Sequence, residues 1–104
     1  MNYSLRRQKA VDLLTQLKLD ALVLCHPENI RYLCGFTGSD GALIVSTEQL
    51  VFLSDSRYTT QARSEVVADK IDEYRVKGDG VIAVLTSLAV ERIGFEACLA
   101  VGVF

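Results

Sequence analysis

The N-terminal part of the chain has apolar residues at helical spacing, followed by an unbroken apolar run. The helical set follows the i, i+3, i+4, i+7 rule and consists of Ala10, Leu13, Leu14 and Leu17. It predicts a helix over residues 4–18, with Ser4 as the residue that caps its start. The run Ala21–Cys25 contains no charged or amide residue, which is typical of a central strand covered on both faces. A helix followed by a buried strand indicates an α/β fold.

Turn-forming residues divide the next part of the chain into a short helix and a hairpin. Pro27 suits the first turn of a helix, because the N–H that proline lacks would have no helical partner there. We predict that this helix runs to about Cys34 and that Gly35 ends it. The apolar runs Ala42–Ser46 and Leu50–Ser54 are separated by a short polar stretch. This pattern predicts a β-hairpin.

The pattern in the second half predicts alternating helices and strands. Asp55 or Ser56 can cap a second helix that continues to about Val67. Apolar and charged residues alternate over Ile71–Val76, which predicts an exposed strand at the edge of the sheet. The remaining predictions, in chain order, are a turn at Gly78–Gly80, a helix over Val81–Leu88 and a short strand over Arg92–Phe95.

The last residues, 97–104, are apolar and carry no charge, at a terminus that would normally fray in water. Either this segment packs back on the sheet, or it has been separated from a longer chain whose next element covers it. We prefer the second interpretation. It predicts that the isolated chain exposes an apolar patch and tends to associate.

A glycine-rich segment lies between the predicted short helix and the hairpin. Gly35, Gly38 and Gly41 have the spacing GxxGxxG, which is neither the dinucleotide-binding GxGxxG nor the phosphate-binding GxxxxGK motif. Such a segment either turns tightly or brings its backbone close to another group. We expect it to be anchored in the core by its apolar neighbours Ile30, Tyr32, Leu33 and Phe36.

Composition and charge narrow the classes of function. The chain has 104 residues, of which 50% are hydrophobic, and a formal net charge of −2; it suits a single domain. The charges are interleaved, so no basic stripe indicates nucleic-acid binding. No apolar stretch approaches the ~20 residues of a membrane span, and the N-terminus does not resemble a signal peptide. We therefore predict a soluble cytoplasmic domain that binds neither nucleic acid nor membrane.

The cysteines support the same interpretation. Cys25, Cys34 and Cys98 lie among apolar neighbours at irregular spacing. An odd number without a CxxC motif argues against a disulfide framework or a zinc site. We expect buried, reduced thiols, as in cytosolic proteins.

The residues do not form a complete catalytic set. His26 is the single histidine, and no other ligands are spaced to join it in a metal site, so we expect a structural hydrogen-bonding role. No serine lies in a GxSxG motif. Asp40 follows Ser39, and a carboxylate in that position usually caps a turn.

Two interpretations remain open for the pair Arg57–Tyr58. The pair could recognise an anion or stack on a ligand. Alternatively, Arg57 could brace a loop by hydrogen bonding to carbonyl groups or to Asp55. The residues alone therefore support an α/β domain without an assigned reaction.

Four segments, taken together, carry a resemblance to a known family. Asn29–Gly38, which reads NIRYLCGFTG, is similar to the N-I-x-Y-L-x-G-F-x-G segment in the N-terminal domain of creatinase, Xaa-Pro aminopeptidases and prolidases. Asp20–Leu24 resembles the first strand of that domain, and Leu53–Ala62 resembles its L-x-D-x-R-Y-x-x-Q-A segment. Arg92–Glu96 is similar to its closing x-I-G-F-E strand. The matches occur in family order and cover essentially the whole chain.

The resemblance implies a mixed-sheet, three-layer α/β fold of the ribonuclease H-like type. It also implies that residues 1–104 are one domain and a fragment of a longer chain, in which a larger "pita-bread" metallopeptidase domain follows. In the family, two divalent metal ions are held by Asp, Asp, His, Glu and Glu of that C-terminal domain. No cofactor is then expected in this chain. Cys34 stands where threonine is common in the family, and Ser56 where glycine is common.

The resemblance further implies a non-catalytic role in a metal-dependent Xaa-Pro peptidase. The family's N-terminal domain assists dimer or tetramer assembly and walls the active site, so the expected partners are the chain's own C-terminal domain and further copies of the protein. The residues that we expect at such surfaces are Asn29, Tyr32, Phe36, Gly38, Asp55, Arg57 and Tyr58.

Two alternatives stay open within this resemblance. The same fold recurs in a histone chaperone whose peptidase site is degenerate, so the domain could be a binding module. Creatinase hydrolyses a small guanidino compound, so the longer protein could be an amidinohydrolase. Only the C-terminal domain distinguishes these possibilities.

Overall fold

The computed structural model describes residues 2–96, in which helices alternate with strands except at one β-hairpin. The helices are α1 Tyr3–Leu17, α2 Pro27–Cys34, α3 Thr59–Glu65 and α4 Lys77–Ser87. The strands are β1 Ala21–Leu24, β2 Ala42–Ser46, β3 Leu50–Ser54, β4 Lys70–Glu73 and β5 Ile93–Phe95. A 3-10 turn, Ser56–Tyr58, precedes α3.

The strands form one mixed sheet in the order β4-β3-β2-β1-β5. β2 is antiparallel to both of its neighbours, whereas β1 pairs with β5, and β3 with β4, in parallel. The carboxyl ends of β1, β3, β4 and β5 therefore lie together with the start of β2, and we call this side the carboxyl end of the sheet. The Gly-rich loop, residues 35–41, connects α2 with the start of β2 at Ala42. Because β2 starts at the carboxyl end of the sheet, the loop lies there as well.

Alternating side chains of the sheet build an apolar cluster on each of its faces. Leu22 and Leu24 belong to the cluster that packs against α1, α2 and α3. Ala21 and Val23 belong to the cluster on the opposite face, which packs against α4. All of β1 is buried, as its unbroken apolar run predicts. The predicted mixed-sheet, three-layer α/β fold is confirmed.

The cap of the first helix lies two residues before the predicted one. Oδ1 of Asn2 accepts a hydrogen bond from the N–H of Leu5 at 2.9 Å, so Asn2 and not Ser4 caps the helix. Asparagine and serine cap about equally well, and the sequence offers both. The helix ends at Leu17, and the residue that caps its C-terminus, Lys18, has a left-handed backbone (φ 58°).

The hairpin has the predicted boundaries, and its turn is held by side chains. The N–H of Gln49 donates to Oγ of Ser46 at 3.0 Å, and this hydroxyl donates to the carbonyl of Gln49 at 2.9 Å. The N–H of Leu50 donates to Oδ2 of Asp69 at 2.8 Å. The polar stretch between the apolar runs therefore closes on itself, which fixes the register of β2 and β3.

The segment after the hairpin forms a 3-10 turn followed by a helix, whereas a single helix was predicted. Asp55 accepts the N–H of Arg57 at 2.9 Å and so caps the 3-10 turn, as expected. The helix that follows ends at Glu65, two residues before the predicted end at Val67. The predicted edge position of the next strand is confirmed, since β4 ends the strand order beside β3. The strand ends at Glu73, three residues before the predicted end at Val76, which instead caps α4.

The prediction of a turn at Gly78–Gly80 is wrong, because these residues form the start of α4. A Cβ added to Gly80 would lie 2.6 Å from Cβ of Tyr74. Glycine is therefore present for close packing of the helix start on Tyr74 rather than for a turn. Local sequence cannot distinguish these two uses of glycine.

Some predictions lie outside the described residues, namely those on the apolar segment 97–104 and on Cys98. Within residues 2–96, no helix is both long and apolar enough to cross a membrane.

Candidate functional site at the carboxyl end of the sheet

Polar side chains from five parts of the chain gather at the carboxyl end of the sheet. They follow β1, precede β2, follow β3, follow β4 and follow β5, and comprise Cys25, His26, Asp40, Asp55, Tyr74, Lys77 and Glu96. The parallel pairing of the strands brings them together although they are far apart in sequence. Most of the candidate residues named in the sequence analysis lie at or beside this end of the sheet.

The Gly-rich loop is anchored by the ring of Phe36. This ring is 1% exposed, and its centroid lies 4.6 Å from that of Phe52 and 5.6 Å from that of Tyr58, with an edge-to-face arrangement to Tyr58. The hydroxyls of Ser39 and Tyr58 are hydrogen bonded at 2.8 Å. Three of the predicted residues, Phe36, Gly38 and Tyr58, are therefore brought together.

The glycines of the loop serve two different purposes. Gly35 ends α2 with a left-handed backbone (φ 87°) and donates its N–H to the carbonyl of Arg31 at 2.9 Å, as predicted. Gly38 and Gly41 do not adopt positive φ angles. A Cβ on Gly38 would enter the ring of Phe36, and one on Gly41 would lie 3.1 Å from the ring of Phe52. They allow close approach of the loop backbone to aromatic rings.

The start of the loop is tied to α3 through a carboxylate. Glu65 accepts the N–H of Thr37 at 2.9 Å and its hydroxyl at 2.8 Å. Gln61 donates to the Thr37 hydroxyl at 3.0 Å and to Glu65 at 3.2 Å. The hydrogen bond from the backbone N–H of Thr37, followed by that from its hydroxyl, lowers the pKa of Glu65.

The Glu65→Gln variant is expected to be less stable than the unsubstituted chain at neutral pH, and this difference should shrink on acidification. The pKa of Glu65 is lower in the folded chain than in the unfolded chain. Its stabilising effect is therefore present above its ordinary pKa and lost as the pH falls through the folded pKa. Urea unfolding at about pH 7 and about pH 3 measures the difference. The exposed Glu48→Gln variant is the control, and a pH-independent effect of Glu65→Gln would contradict the prediction.

Arg57 braces the turn after β3. Its Nη2 donates to Oδ2 of Asp55 at 2.7 Å and its Nε to Oδ1 at 3.1 Å. The hydrogen bond with Arg57 lowers the pKa of the Asp55 carboxyl. The guanidinium also lies 5.3 Å from the ring centroid of Tyr58, although the side chain is 70% exposed. Of the two interpretations of Arg57, the structure shows the brace, and the anion-binding role stays a prediction.

The end of the loop is tied to α4. The carboxylate of Asp40 forms an ion pair with Nζ of Lys77, the first residue of α4. Burial is the largest single influence on the pKa of Lys77 and acts to lower it. The hydrogen bond with Asp40 and the electrostatic interactions with Tyr74, Asp40 and Cys25 together outweigh burial, so the pKa is raised. Asp40 was expected to cap a turn. Sequence reasoning missed Lys77, because a contact across 37 residues leaves no local signal.

Glu96 organises the turn between β1 and α2. Its Oε1 accepts the backbone N–H groups of Cys25 and of His26, the latter at 2.6 Å, and its Oε2 accepts the side-chain amide of Asn29 at 3.1 Å. Both Glu96 (6% exposed) and Asn29 (1% exposed) are buried. Asn29 therefore stabilises the carboxyl end of the sheet through a buried hydrogen bond, and His26 contributes its backbone N–H. This carboxylate therefore joins two segments of the family resemblance, Asn29–Gly38 and Arg92–Glu96.

Tyr32, the last of the seven predicted residues to be placed, contacts α1 through Arg6. The guanidinium of Arg6 lies 4.2 Å from the centroid of the Tyr32 ring. Nη1 of Arg6 also donates to the carbonyl of Tyr32 at 2.9 Å. Tyr32 thus ties α2 to α1 below the Gly-rich loop.

The described residues do not offer a metal site. Within residues 2–96, no group of three or more His, Cys, Asp or Glu side chains could hold a metal ion. Cys25 and Cys34 are free thiols among the described residues; Cys34 is buried, as expected, whereas Cys25 is only partly buried. Burial raises the pKa of Cys34 to about 11, which makes its thiol unreactive. The carboxyl end of the sheet is therefore a surface held by hydrogen bonds and ion pairs.

Comparisons with known proteins agree with this architecture. The family model of the creatinase/prolidase N-terminal domain matches residues 6–104. The Bacillus subtilis protein YqhT, described as an uncharacterized peptidase, is 33% identical over 96 residues, which are 88% of this chain and 26% of that protein. The chain therefore spans about a quarter of the length of this curated relative.

Solved structures show the same fold. The N-terminal domain of the cytoplasmic peptidase PepQ from Mycobacterium tuberculosis has a TM-score of 0.81 and 34% identity, with 90% of this chain and 74% of that chain covered. An Xaa-Pro aminopeptidase from Streptococcus thermophilus has a TM-score of 0.77 and 33% identity, with the same coverage of 90% and 74%. An Xaa-Pro dipeptidase from Bacillus anthracis has a TM-score of 0.88, but at 24% identity it supports the fold alone; 95% of this chain and 28% of that chain are covered.

Proposed function

Because this chain belongs to the creatinase/prolidase N-terminal domain family, we propose that it is the non-catalytic N-terminal domain of an Xaa-Pro aminopeptidase- or dipeptidase-like metallopeptidase. The match to the family model over residues 6–104 carries this proposal. The similar structure of an Xaa-Pro aminopeptidase, at 33% identity, supports the substrate class, and that of the peptidase PepQ, at 34% identity, supports a peptidase. The fraction of YqhT that the chain matches, 26%, leaves room for a catalytic domain.

In this proposal the chemistry lies in the C-terminal domain. Two divalent metal ions bound there would supply an activated hydroxide for cleavage of the bond before proline. Residues 2–96 hold no cluster of ligands that fits such ions. The role of this domain is to help assemble an oligomer and to wall the active site, in the cytoplasm.

The surface for this role is the part of the carboxyl end formed by the Gly-rich loop and the turn after β3. The exposed guanidinium of Arg57 is fixed by Asp55, and the loop is fixed on Tyr58. A surface whose side chains are already ordered loses little conformational entropy when it meets another domain. This order supports a contact with the catalytic domain or with a neighbouring subunit.

The chain alone is expected not to hydrolyse Xaa-Pro dipeptides, with or without added Mn²⁺ or Co²⁺. The physical reason is that the metal ligands implied by the family lie in the C-terminal domain. A release assay for free proline measures the activity, and the full-length protein encoded by the same gene is the positive control. Proline release by the chain alone would contradict the proposal.

The sequence that follows Phe104 in the gene decides between the proposed function and its alternatives. A following domain with the ligand set Asp, Asp, His, Glu and Glu supports the peptidase. A following domain without these ligands supports a binding module like that of the histone chaperone. If the ligand set is present but Xaa-Pro dipeptides are not cleaved, hydrolysis of creatine tests the amidinohydrolase alternative.

A further inference from the structure

The strand β4 lies at an open edge of the sheet. It ends the strand order beside β3, and among residues 2–96 no strand pairs with its other side. The N–H of Asp69, the residue before β4, donates to the carbonyl of Leu50 at 2.9 Å. Because the backbone groups of successive residues in a strand point to alternate sides, those of Ile71 also point towards β3. The N–H and carbonyl groups of Lys70 and Asp72 therefore point away from the sheet, where another strand can pair with them.

The side chains of β4 carry opposite charges two residues apart. Nζ of Lys70 and Oδ2 of Asp72 are 3.3 Å apart, so both side chains lie on one face, where they are 58% and 44% exposed. Ile71 lies on the other face and packs against the cluster that contacts α1, α2 and α3. A lysine on an edge strand usually discourages pairing with another strand. In β4 a carboxylate stands where it can neutralise that lysine across a strand pair.

This pattern of charges is complementary to itself. When two copies of β4 run antiparallel with Ile71 opposite Ile71, each Lys70 lies opposite Asp72 of the second copy. Directly opposite residues point to the same face, and opposite charges in such pairs are favourable. The same register places the outward backbone groups of Lys70 against those of Asp72, so that each pair can exchange both of its N–H···O bonds.

Apolar side chains match in the same arrangement. Ile71 would meet Ile71 of the second copy on the face of α3, at the rim of a groove of about 440 Å³ between α3 and β4. Val67 before β4 and Val76 after it are 51% and 61% exposed. An antiparallel pair brings the start of one β4 to the end of the other, so Val67 comes towards Val76 of the second copy. Burial of these side chains would favour association.

We propose that β4 is a self-association surface, on which a second copy of the chain adds its own β4 antiparallel about a two-fold axis at Ile71. The interface is isologous and joins two five-stranded sheets into one continuous sheet. Because each copy contributes one short strand, the dimer is weak and reversible. This inference goes beyond the proposed function, since it needs no catalytic domain and uses a surface other than the Gly-rich loop.

Reversal of the charges on β4 tests the pairing. The variants Lys70→Asp and Asp72→Lys each place like charges opposite one another in a dimer of identical copies, so the Kd of each should rise by about tenfold or more. In an equimolar mixture of the two variants, each aspartate of one copy faces a lysine of the other. The mixture should therefore form a heterodimer at least as tight as the dimer of the unsubstituted chain. Analytical ultracentrifugation over a concentration series measures each Kd, and circular dichroism checks that the variants are folded.

Matched controls make the same changes of charge away from β4. Glu48→Lys and Lys9→Asp alter exposed positions in the hairpin turn and on α1, and both should leave the Kd unchanged. Equal association of Asp72→Lys and Glu48→Lys would overturn the proposal, because the contact would then not involve β4. A strictly monomeric unsubstituted chain, or a mixture of the two β4 variants that does not associate, would overturn it as well.

Amide hydrogen exchange followed by NMR locates the contact. The amides of Lys70 and Asp72 should exchange more slowly as the dimeric fraction rises, because they gain hydrogen bonds across the interface. The amide of Asp69 already donates to Leu50 and is the internal reference. Unchanged exchange of Lys70 and Asp72 in a dimeric sample would place the interface elsewhere and overturn the proposal. These measurements do not depend on peptide hydrolysis, so failure of this inference and failure of the proposed function are distinguishable.

Discussion

The Glu96→Ala variant is expected to have a free energy of unfolding about 3 kcal/mol lower than that of the unsubstituted chain. The carboxylate accepts hydrogen bonds from the N–H groups of Cys25 and His26 and from the amide of Asn29. Hydrogen bonds to a charged group contribute more than neutral ones, and their removal leaves buried donors without partners. The turn between β1 and α2 then loses the group that fixes it.

Thermal or urea denaturation followed by circular dichroism measures this loss. For a domain of this size, about 3 kcal/mol corresponds to a fall in Tm of roughly 12–24 °C. Glu91→Ala is the matched control, because Glu91 precedes the same strand but is exposed, and it should change Tm little. A Glu96→Ala variant as stable as Glu91→Ala would contradict the role of Glu96.

The Glu96→Gln variant distinguishes the shape of the side chain from its chemistry. Glutamine retains one carbonyl oxygen that can accept hydrogen bonds from the N–H groups, but it presents an NH₂ group where the carboxylate accepts from Asn29. Two donors then face each other, so we expect a stability between those of Glu96→Ala and the unsubstituted chain.

The strands and helices of this chain could be predicted because their signals are local. The hairpin has the predicted boundaries, Ala42–Ser46 and Leu50–Ser54, because polar residues separate two apolar runs. The end of α2 at Gly35 follows from the left-handed cap that glycine provides. The mixed sheet and its family came from four segments in the right order, which no single segment could establish.

The connections at the carboxyl end of the sheet could not be predicted from the residues alone. The ion pair of Asp40 with Lys77 spans 37 residues, and the hydrogen bond of Asn29 with Glu96 spans 67 residues. Such pairs form only when the parallel strands bring distant carboxyl ends together. Spacing along the chain records which face a residue occupies, but not which distant residue it will meet.

Glycine shows the limit of local signals most clearly. The same residue ends α2 at position 35, lies against rings at positions 38 and 41, and packs on Tyr74 at position 80. The sequence predicts that each position is special, while only the structure shows whether a backbone angle or a neighbouring atom is the reason. Substitutions at these positions therefore test different physical effects.

The Gly38→Ala variant is expected to lower the free energy of unfolding by about 2–3 kcal/mol. The added Cβ would overlap the ring of Phe36 and lie 3.1 Å from Cδ1 of Tyr58. The ring of Phe36 cannot swing away easily, because it is buried against Phe52 and Tyr58. Either the loop lifts off the cluster or the rings repack, and both cost packing energy.

Gly78→Ala is the matched control, since it makes the same change where the surroundings are empty. A Cβ on Gly78 would meet no atom within 4 Å, and Gly78 lies in the first turn of α4. Alanine favours a helix over glycine by roughly 0.5–1 kcal/mol, so this variant should be more stable than the unsubstituted chain. The two substitutions should thus shift the urea midpoint in opposite directions. A stabilising Gly38→Ala would show that the loop is not packed on Phe36, because the methyl group can be accommodated only if the ring and the loop backbone lie apart.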